Sequence, residues 1–210
     1  MLFYIGFVIL ILPLLILYPT KVLHKERMPK GKCIVTSNHY SNADGLVYIS
    51  KFCRKFRFMA KAELFKNKFM AGIYYSIGMF PVDREHVSPS VFKKTISELN
   101  KNHQVFIFPE GTRNKEDTEE MSSVKSGIIT FASKGDAVIV PMVMYHKPKI
   151  FRKNYIIVGE PISVQGENSI RLTKEEIEQN VVHYTNVMKE LRIELDEYVN
   201  KKKNKKTKKQ

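Results

Sequence analysis

The chain has 210 residues, 43% of them hydrophobic and 27% charged, with ten glycines and nine prolines. That balance fits one domain or little more and excludes collagen-like, disordered and fully polytopic membrane chains. Lysine and arginine outnumber aspartate and glutamate by 35 to 21, a net charge of +14, and such a field seeks the phosphates of nucleic acid, anionic lipid or an anionic substrate. The only cysteines, Cys33 and Cys53, are too few for a disulfide framework; both sit in apolar surroundings and read as buried free thiols of a protein on the cytosolic side.

In chain order, the first feature is an uncharged run from Leu2 to Tyr18, which as a helix would span about 25 Å, close to a bilayer's hydrocarbon core. No basic segment precedes it and no small-residue cleavage site follows, so it reads as an anchor rather than a cleaved signal peptide, with a buried core helix as the alternative. Lys21, Lys25, Arg27 and Lys30 come next and place the rest of the chain on the cytoplasmic side if the run spans. Pro13 leaves a kinked, re-entrant or interfacial helix open. The chain then alternates. Runs rich in β-branched and aromatic residues predict strands at Cys33 to Ser37, Phe56 to Ala60, Met79 to Val82, Val105 to Phe108, Ala137 to Met144 and Tyr155 to Val158. Helical patterns lie among them: Ser88-Pro89 is an N-cap followed by proline at the first helical position, with Phe92, Ile96 and Leu99 on one face. Another helix begins at Thr173, where Glu176 completes a capping box, and carries an apolar stripe from Ile177 through Val181, Tyr184, Met188, Leu191 and Leu195 to Tyr198. The final ten residues, KKKNKKTKKQ, hold half the net charge; a like-charge block without apolar residues is expected to be disordered, as solubilising sequence or an anion-binding arm. Strands alternating with helices predict an α/β domain with a mainly parallel sheet, helices on both faces and sites at the strands' C-terminal ends.

Polar residues gather at two of those ends. Cys33 to Ser37 runs into Asn38-His39-Tyr-Ser-Asn-Ala-Asp44, an imidazole and a carboxylate five positions apart. If the loop turns into a helix there, the two come within hydrogen-bond reach. A carboxylate on one imidazole nitrogen fixes the tautomer and leaves the other free to take a proton from a hydroxyl. By itself the spacing also suits a structural histidine and a helix-capping Asp44. The strand ending at Phe108 delivers Pro109-Glu110-Gly111-Thr112-Arg113, again charge and a permissive glycine after a buried strand.

With these motifs in order, the chain resembles the lysophospholipid acyltransferases, closest to bacterial 1-acyl-sn-glycerol-3-phosphate acyltransferases. Four blocks carry the likeness: NHYSNAD with His39 and Asp44, GMFPVDR from Gly78 to Arg84, FPEGTR from Phe108 to Arg113, and the Val140-Pro141 strand. FMAKAEL at Phe58 to Leu64 and KSG at Lys125 to Gly127 also match; Lys68 and Glu85 depart, standing where relatives often have proline and glycine.

The resemblance implies an α/β fold with a mainly parallel or mixed sheet flanked by helices, as in glycerol-phosphate acyltransferases. Together with the uncharged N-terminal run and the lysine tail, this divides the chain into an N-terminal membrane anchor and basic linker over 1–29, an acyltransferase domain over 30–199 and a disordered polylysine tail over 200–210. It implies an enzyme that moves a fatty acyl chain from acyl-CoA or acyl carrier protein to the sn-2 hydroxyl of lysophosphatidic acid, giving phosphatidic acid. Another lysophospholipid or glycerol 3-phosphate is the alternative acceptor, and a non-catalytic basic membrane protein the alternative of another class. His39 would be the general base and Asp44 its partner. Arg84 and Arg113, with Lys61, would hold the acceptor phosphate. Glu110, Gly111 and Thr112 would lie in the acceptor-binding turn, Glu110 orienting a glycerol hydroxyl or Arg113, and Pro141 would shape the channel. No cofactor is expected beyond the thioester co-substrate, and no metal, since the histidines and cysteines show no ligand spacing. The partners are membrane lipid, lysophosphatidic acid and acyl-CoA or acyl carrier protein. No nucleic acid is expected, because the lysine tail has no interleaved aromatic residues for base stacking. The protein is placed at the membrane with its catalytic domain on the cytoplasmic face.

Overall fold

A computed structural model describes residues 12–52, 56–82, 89–111, 124–166 and 172–207. Seven strands form one sheet: β1 (Thr20–Leu23), β2 (Cys33–Ser37), β3 (Arg57–Lys61), β4 (Met79–Val82), β5 (Gln104–Ile107), β6 (Val138–Met144) and β7 (Asn154–Val158), in the order β1-β7-β6-β2-β5-β3-β4. From β6 to β4 all neighbours are parallel, whereas β7 runs antiparallel to β6 and β1 parallel to β7. The sheet is therefore mixed. Six strands lie where β-rich runs predict them. The seventh, β1, falls in the segment read as basic linker, so the folded domain begins before residue 30.

The helices are α1 over residues 12–17, α2 (Asp44–Phe52), α3 (Lys68–Ser76), α4 (Pro89–Asn100), α5 (Gly127–Gly135) and α6 (Lys174–Thr207). Alternation along each strand divides the core between the two faces. Cys33, Val35, Phe106 and Met142 pack with Val47, Tyr48 and Phe52 of α2, while Ile34, Val105, Ile139 and Val143 pack with α5 and α6. The predicted stripe of α6 is its core face, with Tyr184, Met188, Leu191 and Leu195 buried. Thr173 and Glu176 form the expected capping box, Thr173 N–H donating to Glu176 at 2.7 Å and Glu176 N–H to Thr173 Oγ1 at 3.2 Å. Burial pushes the Tyr184 phenol far above its usual range; it stays a neutral donor, and its hydroxyl meets Thr36 Oγ1 at 2.9 Å.

The tail departs from expectation: α6 continues through Thr207. Lysine is a good helix former, a helix already nucleated extends one hydrogen bond at a time, and cations at a C-terminus suit the helix dipole. Among the described residues no helix is long and apolar enough to cross a membrane; residues 2–11 of the uncharged run, like Cys53, lie outside those residues.

Candidate active site

The parallel register of β6, β2, β5 and β3 brings their C-terminal ends to one edge of the sheet, and the loops leaving that edge build the site. After β2, Asn38 turns back and closes the ladder of β6. Its Nδ2 donates to Met144 O at 2.9 Å, and Met144 N–H donates to its Oδ1 at 2.8 Å. Ser37 Oγ bonds Asn38 Oδ1 and the buried Tyr48 hydroxyl. Desolvation pushes the Tyr48 phenol well up despite that bond to Ser37, so it too remains a hydroxyl. Two fixed residues thus precede His39.

Asp44 opens α2 and is fully buried. Its Oδ2 accepts from His39 Nδ1 at 2.9 Å, Tyr40 N–H at 2.7 Å and Ser41 N–H at 2.8 Å, and its Oδ1 accepts from Ser41 Oγ at 2.9 Å. A buried carboxylate is tolerated only when so completely bonded, and the helix N-terminus favours its charge. Because a carboxylate accepts, the proton of the histidine contact sits on Nδ1, and Nε2 keeps its lone pair. The imidazole stacks on Phe108 with centroids 3.9 Å apart and planes 15° apart.

The second loop locks onto the first. Glu110 is buried, and its Oε1 accepts the His39 backbone N–H at 3.0 Å, so the carboxylate after β5 fixes the backbone that carries the imidazole. Gly111 takes φ 70°, and a Cβ there would meet the end of the Lys125 side chain at 2.7 Å. Only glycine adopts this turn without strain. Lys125 N–H donates to Pro109 O at 3.0 Å, which ties the KSG stretch to this turn.

His39 lines a cavity of about 510 Å³, walled by apolar side chains including Met59, Val82, Val91, Phe106, Ile128 and Phe131, with Lys125 and Gly111 also on its lining. Such a site suits a long aliphatic group whose reactive end meets the imidazole. Of the residues singled out from sequence, His39, Asp44, Glu110 and Gly111 are thus brought together. Lys61 ends β3 on the same edge but is half-exposed, ion-paired with Glu63 at 3.2 Å and not among the cavity residues. Arg84, Thr112 and Arg113 lie outside the described residues. Lys68 is exposed at the first position of α3, behind the Asn67 N-cap, and does not wall this cavity. Pro141, expected to shape the channel, is buried in β6, where its carbonyl accepts from Gly159 N–H at 2.8 Å; it too is absent from the lining. Among the described residues no group of three or more histidine, cysteine, aspartate or glutamate side chains is placed to hold a metal. Sequence reasoning missed Phe108, Asn38 and Lys125 as parts of the site, although each lies inside a motif that it quoted.

The family model described as Acyltransferase matches residues 20–145. Among curated proteins, the chain is 32% identical over 185 residues to the 1-acyl-sn-glycerol-3-phosphate acyltransferase of Bacillus subtilis, covering 84% of this chain and 90% of that protein. It is 30% identical over 142 residues to the enzyme of that name from Borreliella burgdorferi, covering 66% of this chain and 56% of that protein. The crystal structure of the 1-acyl-sn-glycerophosphate acyltransferase PlsC from Thermotoga maritima superposes with a TM-score of 0.62 at 22% identity, over 82% of this chain and 70% of that one, a likeness of fold.

Proposed function

The chain belongs to the 1-acyl-sn-glycerol-3-phosphate acyltransferase family, and we propose that it transfers a fatty acyl group from a thioester to the sn-2 hydroxyl of lysophosphatidic acid, giving phosphatidic acid. The observation that carries this reading is His39, bonded through Nδ1 to the buried Asp44, on the lining of an apolar cavity. In the proposed reaction His39 Nε2 takes the acceptor's hydroxyl proton as its oxygen bonds the thioester carbonyl carbon. The carbon–sulfur bond then breaks, and the proton passes from the imidazolium to the departing thiolate. Asp44 stabilises the transient imidazolium through Nδ1–H, and no acyl-enzyme forms. The thioester comes from acyl-CoA or acyl carrier protein, and the apolar cavity would take the acyl chain. Lys61, Arg84 and Arg113 supply the cations for the acceptor phosphate, where each charge-assisted bond contributes roughly 1.5–3 kcal/mol. Thr112 completes the acceptor turn. The uncharged N-terminal run anchors the enzyme to the membrane with the catalytic domain on the cytoplasmic face.

The test is an assay of the purified chain with lysophosphatidic acid, other lysophospholipids and glycerol 3-phosphate, each with acyl-CoA and with acyl-acyl carrier protein, the products identified by mass. Phosphatidic acid forms fastest if the reading holds. Faster acylation of another acceptor, or no acylation, overturns it.

A further inference from the structure

The connection from β6 to β7 leaves the same sheet edge as His39, directly after the Met144 amide and carbonyl held by Asn38. Its sequence, Tyr145 to Asn154, contains no acidic residue and carries Lys147, Lys149, Arg152 and Lys153, all exposed. Between them stand Ile150, 53% exposed, and Phe151, 71% exposed. Packing among the described residues does not account for two large apolar side chains held out at the crest of a cationic loop.

The loop is built, not slack. Asn154 is fully buried, and its side chain accepts Lys149 N–H at 2.8 Å while donating to Lys149 O at 3.1 Å and Arg152 O at 2.9 Å. Phe151 N–H donates to Leu17 O at 2.7 Å, joining the crest to the end of α1 beside Ile16, itself 69% exposed. Phe151 sits at φ 54°, a left-handed conformation unfavourable for a bulky residue that persists only where its surroundings enforce it. The lysine-rich end of α6 arrives at the same place, Lys203 Nζ lying 5.7 Å from the centre of the Tyr145 ring.

We propose that the Lys147 to Lys153 loop is a docking element for an anionic lipid surface, inserting Ile150 and Phe151 among the acyl chains while its four cations meet the headgroup phosphates. The charge favours anionic lipid over a neutral apolar partner, and the hydrogen bond to Leu17 makes the crest continuous with the uncharged N-terminal run. The orientation follows: a bilayer that receives the crest faces the sheet edge from which the His39 loop also leaves.

The chain contains no tryptophan, so Phe151→Trp in the full chain introduces a single fluorescent reporter at the crest. Val182→Trp does the same at an exposed site on the first half of α6 and serves as the control, with circular dichroism confirming the fold of both. Vesicles of phosphatidylcholine, with and without phosphatidylglycerol, are added, plain or with brominated acyl chains. The expected result is a blue shift and bromine quenching for the crest reporter that grow with phosphatidylglycerol, and neither for the α6 reporter. Replacing the four cations with glutamine is expected to weaken binding to anionic vesicles by about tenfold or more. The proposal is overturned if the protein sediments with vesicles while the crest reporter keeps its solvent-exposed spectrum, if both reporters respond alike, if phosphatidylglycerol makes no difference, or if no vesicle binds. Each reading is of lipid contact alone, independent of acyl transfer.

Discussion

Among the described residues, two histidines face a carboxylate five residues away. His39 Nδ1 lies 2.9 Å from Asp44, and His103 Nδ1 lies 2.9 Å from Glu98. The first pair stands after β2 and the second before β5, at opposite ends of parallel neighbours. Asp44 opens a helix and is served by backbone amides and a serine; Glu98 is in the last turn of α4, where the helix dipole opposes its charge, and it is surrounded by cations. Arg57 lies at 3.0 Å, Lys94 at 3.2 Å and Lys101 at 3.8 Å. Burial pushes the Glu98 carboxyl up, but hydrogen bonds from His103 and Lys94 and the charges of Arg57 and Lys94 outweigh it and hold the carboxyl below its usual range. A larger cavity of about 610 Å³ touches Arg57 and Glu98 but not His103. The spacing and the Nδ1 contact alone therefore do not tell the two pairs apart. What separates the two is a ring stacked on an aromatic face and lining an apolar cavity, against a ring whose carboxylate is shared with a salt-bridge network.

That contrast yields graded expectations. His39→Ala should lower turnover by at least about two orders of magnitude, the usual contribution of a general base, while His103→Ala leaves turnover within a few-fold; steady-state kinetics on folded variants compares them. Asp44→Asn should cost nearly as much as His39→Ala, because an amide holds the ring without stabilising the imidazolium. Phe108→Leu keeps the site apolar but removes the stacked face, worth about 0.5–1.5 kcal/mol; turnover should fall by a few-fold to tenfold with the fold retained. At the other pair, Glu98→Gln should cost about 1–3 kcal/mol of stability at neutral pH and leave turnover unchanged. The carboxyl is depressed in the folded state, so its contribution is present above the unfolded carboxylate range and disappears as pH falls through the folded value. Urea unfolding across pH should show the gap between wild type and Glu98→Gln closing on acidification. Smallest is Tyr184→Phe, which removes the bond to Thr36 and should cost about 0.5–1.5 kcal/mol in the same assay.

Six strands, the α4 helix, the α6 start and the His39–Asp44 pair were legible because each is written locally, in β-branched runs, helical periodicity, the Thr173–Glu176 capping box and a five-residue spacing, whereas the Ser88 cap of α4 lies outside the described residues. β1 was not legible. Thr20 to Leu23 is four residues long, and among the described residues it pairs with β7, far away in sequence. The stacking of His39 on Phe108 and the bond from His39 N–H to Glu110 depend on β2 lying beside β5, a tertiary fact no local pattern contains. Lys125 reaches the Gly111 turn for the same reason. The lysine tail misled because net charge argued for disorder, while the helix ahead of it, with Lys201 reaching Glu197 at 3.4 Å, continues into residues of good helical propensity.

In the proposed reaction one proton is decisive: Asp44 keeps it on His39 Nδ1, so that Nε2 can act as the base. Long-range proton–nitrogen correlation of the neutral His39 ring, in protein labelled with nitrogen-15 and assigned by comparison with His39→Ala, reads its position directly. The expected result is a protonated Nδ1 and an unprotonated Nε2, with the ratio between the two tautomers shifting in Asp44→Asn. A neutral ring carrying its proton on Nε2 would overturn the role of His39 as base, because the nitrogen assigned to the acceptor hydroxyl would then have no lone pair to receive a proton.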